Sequence, residues 1–85
     1  MPLYQAGEYA AVADRGRELI EANPQYPLLF YNLACCEALV GRTDDAIQHL
    51  RHAADRSEYL RAYAKADSDF DPIRDEPAFN EIVST

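Results

Sequence analysis

Residues 28–40 read LLFYNLACCEALV, and only Asn32 and Glu37 among these thirteen are polar. A helix that is apolar all round must be buried on nearly every side, so the stretch predicts a central helix with no solvent face. It is well short of the ~20 residues a membrane crossing needs, which leaves other helices of the same chain to cover it. Pro27 suits the first turn of such a helix and Gly41 its end.

Outward on the N-terminal side, residues 8–22 predict a second helix. Tyr9, Val12, Ala13, Gly16, Leu19 and Ile20 share one face at i, i+3, i+4 spacing, and Asp14, Arg15, Arg17, Glu18 and Glu21 form a solvated one. Gly16 costs about 1 kcal/mol relative to Ala inside a helix, so it marks a place where another helix comes close. MPLYQA reads as the last turn of an earlier element stopped by Gly7, and Asn23 to Pro27 reads as a turn around Pro24.

On the C-terminal side, Thr43 is the expected N-cap of a helix running to about Arg56, with Asp44 and Asp45 complementing its dipole. Ala46, Ile47, Leu50, Ala53 and Ala54 form its buried side, and His49, Arg51, His52 and Asp55 point outward. Ser57 is expected to cap a shorter helix in which Tyr59, Leu60, Tyr63 and Ala64 repeat. Asp71-Pro72 and Asp75-Glu76-Pro77 both have the grammar of a helix start. Phe70, Ile73, Phe79, Ile82 and Val83 are spaced to fold back over the end of the stack. No alternating run of β-branched residues predicts a strand.

Eighty-five residues make one domain, which buries only about 60% of the surface its unfolded chain exposes. Fifteen acidic against eight basic residues give a net charge of -7, which repels nucleic acid and anionic membrane surfaces as partners. No cationic region followed by an apolar run opens the chain, so the cytoplasm is the expected compartment. Cys35 and Cys36 are neighbours on a helix and point apart, which suits two small buried apolar residues rather than a disulfide. A thiol-reactive role for Cys35 is the lesser reading, because the nearest charge in sequence, Glu37, is anionic.

No glycine-rich phosphate loop, nucleophile elbow or paired carboxylates in a predicted pocket stand in the sequence, so neither an enzyme nor a cofactor is expected. Asp67, Asp69 and Asp71 imitate the start of a calcium loop, but Pro72 and Ala78 occupy the places of its glycine and bidentate glutamate. A metal-responsive structural domain built on this acidic stretch is the alternative function, with helix capping the preferred reading. His49 and His52, one turn after Asp45, are better read as a solvated face than as a divalent-metal site.

Gly7 and Gly41 lie 34 residues apart, and GEYAAVADRGRELIEA matches GRTDDAIQHLRHAADR in kind: a glycine break, a polar first turn and an apolar face in the same phase. A repeat of this period points to stacked helical hairpins. The stretch FYNLACCEALVGRTDDAIQHLRHAA resembles the tetratricopeptide repeat (TPR). Phe30, Leu33 and Ala34 match the aromatic, large and small positions of its first helix, Gly41 the hairpin turn, and Ala46, Leu50 and Ala53 the small, large, small trio of its second. Pro24 matches the proline that closes a repeat. Glu37, Gly16 and Glu58 depart from the pattern, at an aromatic, a large residue and a closing proline respectively. The tail DSDFDPIRDEPAFNEIV looks like a closing segment of some bacterial tandem repeats.

The resemblance implies an all-α fold of antiparallel helical hairpins stacked as a short TPR-like right-handed superhelix. Its single domain, 1–85, would comprise a partial repeat (1–24), a full repeat (27–58) and C-terminal capping helices (59–85). The partial repeat lacks its leading helix, so the apolar face of residues 9–20 is expected to be open on one side, for preceding residues or a second copy to cover. The implied function is a protein–protein interaction module that binds a peptide or partner protein in a groove, or self-associates as a homodimer. The matching groove positions are Leu28, Tyr31, Cys35 and Ala38, with Asn32 at the edge. Arg61 and Lys65 nearby would favour an acidic peptide. The carboxylate clamp of the family is not expected, because its cation positions hold Ala62 and Ala66.

Overall fold

The structure, a computed structural model, describes residues 6–22 and 25–84, and the side chains of residues 11–22 and 25–84. Of the expected last turn MPLYQA only Ala6 is described, and it lies in α1; residues 1–5, the Asn23-Pro24 pair and the side chain of Tyr9 lie outside the described residues. All regular structure among the described residues is helical: α1 (Ala6–Ala22), α2 (Pro27–Leu39), α3 (Thr43–Arg56), α4 (Glu58–Ala66), a 3₁₀ helix (Ser68–Ile73) and α5 (Pro77–Ser84).

The apolar stretch forms α2, with Pro27 in its first turn, and residues 30–38 are buried apart from Asn32. It packs on α3 on one side, on α1 on another and on the 3₁₀ helix at a third. The expectation of no solvent face fails at its first turns, where Leu28 is 56% exposed and Asn32 is exposed too. No helix among the described residues is long and apolar enough to cross a membrane.

Gly41 turns the chain between α2 and α3 at φ 85°, a left-handed conformation that a side chain disfavours. Space is not the constraint, since a β-carbon there would meet nothing within 4 Å. Gly41→Ala is expected to destabilise the domain by about 1–2 kcal/mol through backbone strain alone, read from the urea midpoint at unchanged slope.

Gly16 does mark a close approach: a β-carbon there would lie 3.0 Å from Leu33 Cδ1 of α2. Ala13, Leu33 and Cys36 form the small core at this crossing, and Ile20 bridges it to the main one. Val12 and Leu19, on the same predicted apolar face, are exposed, so α2 covers that face only in part. The charged face of α1 is not merely solvated. Arg17 pairs with Asp45 of α3, and Asp14 with Arg42 at 2.9 Å, tying α1 to the second hairpin.

Three expected boundaries and one expected apolar face differ. Gly7 lies inside the first turn of α1 rather than before it, because the first amide hydrogens of a helix have no intrahelical partner and a glycine there loses little. Thr43 is the first helical residue of α3, with Arg42 at the N-cap position and no side-chain cap, while Asp44 and Asp45 do fall in the first turn. The face of α4 splits: Leu60 and Ala64 are buried, whereas Tyr59 and Tyr63 are exposed. Asp71 caps nothing here; Asp67 does, its Oδ1 accepting from Asp69 N at 3.0 Å, and Pro72 lies within the 3₁₀ helix. That helix repeats every three residues, which sets Phe70 and Ile73 on one line facing the core.

Ser57 caps α4 as its hydroxyl accepts from Leu60 N at 3.3 Å. Phe70, Ile73, Phe79, Ile82 and Val83 are all buried and join Leu50, Ala53 and Phe30 in the main core. Arg74 fastens the tail from outside, donating to the carbonyls of Lys65 (2.8 Å) and Asp67 (2.7 Å).

Candidate functional site

A groove of about 710 Å³ runs over α2 between α1 and α4. Its floor is the α2 stripe Leu28, Asn32 and Cys35, which the i, i+4, i+7 spacing places in one row. Val12 and Arg15 of α1 form one wall, Tyr59 and Tyr63 of α4 the other. Asp67 and Asp69, where the chain leaves α4, complete the lining.

The exposed tyrosines exist because α4 turns only a two-residue edge, Leu60 and Ala64, into the core. Tyr59 and Tyr63 stand edge-to-face at 6.0 Å, and Tyr63 meets Tyr31 edge-on at 5.9 Å. Tyr31 is itself nearly buried and donates its hydroxyl proton to Asp67 Oδ2 at 2.6 Å. Burial, reinforced by that bond, pushes the Tyr31 phenol well above its ordinary range. The Cys35 thiol approaches the same oxygen at 3.9 Å, and burial followed by the charges of Asp67 and Asp69 drives it far up as well. Burial likewise raises Cys36. Neither thiol, both free and buried, is activated for nucleophilic chemistry.

Of the residues expected in a groove, Leu28, Tyr31, Asn32 and Cys35 do line this one. Ala38 is buried in the core instead. Arg61 donates to the Ala54 carbonyl at 3.1 Å and does not line the groove, nor does the exposed Lys65. The expected cationic edge is therefore replaced by carboxylates, because α4 presents its tyrosines to the groove and its basic residues elsewhere.

The acidic stretch divides. Asp71 pairs with Arg74 at 3.0 Å, while ligand atoms of Asp67, Asp69 and Cys35 lie within 4.8 Å of one another. Burial, then the charges of Asp67 and Asp71, raise Asp69 above the usual carboxylate range. Asp71 is thus held by an arginine and Asp67 serves as a cap, and the carboxylates grouped together among the described residues are Asp67 and Asp69.

The histidines, expected on a solvated outward face, are half-buried instead. His49 Nδ1 lies 2.6 Å from Glu37 Oε1, His52 stacks on Phe30 at 3.7 Å between ring centroids, and Asp45 is taken by Arg17. Glu37 is fully buried, with Arg17 Nε 3.6 Å from its other oxygen. The signal for this network was present in the sequence as one carboxylate in an apolar helix, a group that cannot be buried without a partner.

Comparison with known proteins finds no matching family model, and no curated protein or solved structure matches the chain.

Proposed function

We propose that this chain is a recognition domain, a TPR-like stack of helical hairpins that binds a peptide segment of a partner protein in the groove over α2. The observation that carries this reading is the pair of walls: large apolar and aromatic side chains at Val12, Leu28, Tyr59 and Tyr63 stay exposed around one concavity in a domain with little surface to spare. Clustered exposure of this kind marks an interaction surface, whereas isolated exposed apolar residues do not. The resemblance to the tetratricopeptide repeat supports the same use of the first helix of a hairpin. Free buried thiols agree with a reducing cytoplasm.

Selection of a displayed random 12-residue peptide library on the immobilised chain tests this. The wild-type chain is expected to enrich binders, and Leu28→Ser combined with Tyr63→Ser to lose them at least tenfold while the melting temperature stays within a few degrees. Both side chains are more than half exposed, so the fold does not depend on them. Tyr31 and Cys35 are unsuitable for this test, since both are built into the buried floor. Enrichment that survives the double replacement would place recognition elsewhere.

A further inference from the structure

We propose, resting on the groove reading above, that the partner segment is basic: an apolar peptide that carries a lysine or arginine, whose cation is received by Asp67 and Asp69. Apart from Asn32 in its floor and Arg15 in its wall the groove is apolar and aromatic, and the two carboxylates add to its lining a charge that no lysine or arginine offsets by an ion pair among the described residues. Arg74, the guanidinium nearest to Asp69 in sequence, is spent on Asp71 and on the backbone carbonyls of Lys65 and Asp67. Arg15 is the cation in the opposite wall and pairs with neither carboxylate.

The two acids are not equivalent. Asp67 is anchored at both oxygens, by Tyr31 hydroxyl and by Asp69 N, so its position is set before any partner arrives. The Asp69 carboxylate accepts no hydrogen bond among the described residues and sits half-buried beside it. A cation between them relieves the repulsion of two like charges in a partly desolvated place, and its hydrogen bonds are charge-assisted. The methylene stem of a lysine or arginine suits the Tyr63 wall, with the charged head toward the carboxylates.

An acidic peptide, which Arg61 and Lys65 would favour from the groove's edge, meets the wrong sign of charge at Asp67 and Asp69. A second copy of this chain also fits poorly, because each copy carries a net charge of -7 and association sets these charges against each other.

The peptide selection described above decides the matter through the composition of its products. Enriched sequences are expected to combine apolar residues with at least one lysine or arginine. A synthetic peptide from that pool is expected to lose about tenfold or more in affinity on Asp69→Asn, the weight of one hydrogen bond to a charged group, and to weaken with added salt. Asp69→Asn removes a carboxylate without a partner in the fold, so the melting temperature is expected to hold. Enriched sequences with neutral or acidic composition, or a basic peptide whose affinity ignores Asp69→Asn, would overturn the basic-partner inference and leave the groove reading intact. No enrichment at all would sink both. A dimer by light scattering that Tyr63→Ser dissolves would overturn it by making a second copy the occupant.

Discussion

Phe70→Ala is expected to remove about 3–5 kcal/mol of stability. Phe70 is fully buried although it lies in a six-residue 3₁₀ helix, and it is the aromatic hinge of the tail. Its ring meets Tyr31 of α2 edge-on at 5.4 Å and Phe79 of α5 at 5.7 Å. Truncation deletes the transfer free energy of a phenyl ring and leaves a cavity where α2 and α5 meet the 3₁₀ helix. A domain of this length has a total stability of roughly 4–13 kcal/mol, so the loss is a large share of the whole. Chemical denaturation followed by circular dichroism measures it, with Tyr59→Ala as the control. Tyr59 is 72% exposed, and its replacement should fall within about 0.5 kcal/mol of wild type. A Phe70→Ala loss below about 1 kcal/mol would mean that the tail is not docked on the hairpin as described.

His49→Leu is the second large effect, for an electrostatic reason. The Glu37 carboxylate has been taken entirely out of water and rests on His49 at 2.6 Å, with Arg17 farther away at 3.6 Å and its side chain nearly half exposed. Removing the histidine leaves a buried carboxylate with one loose partner. The expected loss is about 3 kcal/mol, the low end for breaking a buried pair, because Arg17 remains. Pairing His49→Leu with Glu37→Met should restore most of it, since an apolar pair of similar volume carries no desolvation cost. The double-mutant cycle is the measurement: additive losses would show that the two side chains do not stabilise each other.

The two effects were legible to different degrees. Phe70, Ile73 and Phe79 stood out as core residues because they are apolar in an acidic tail, and hydrophobicity alone decides that such residues are buried. The cap of the 3₁₀ helix belongs to Asp67 and not to Asp71, because Asp-Pro and Asp-Ser both suit a helix start and only packing chooses between them. His49 and His52 sit between the apolar and polar faces of α3, where helical periodicity does not separate a solvated residue from one that reaches a neighbouring helix.

The groove shows the same division. Its floor at Leu28, Tyr31, Asn32 and Cys35 follows from i, i+3, i+4 spacing on a helix whose ends are marked by Pro27 and Gly41. Its charge does not follow from spacing. Whether Arg61 and Lys65, or Asp67 and Asp69, stand at the groove depends on how α4 is rotated about its axis and where it stops, and the burial of Leu60 and Ala64 sets that rotation.

By itself, then, the sequence determined the helical class, the central hairpin and the identity of most core residues, because turn chemistry and apolar periodicity are local properties of the chain. Only the tertiary structure decided the partners of Glu37, the exposure of Leu28 and Tyr63, and the acidic lining of the groove. Those depend on helix rotation and on contacts between residues as far apart as Tyr31 and Asp67, which packing of the whole core settles and no local rule encodes.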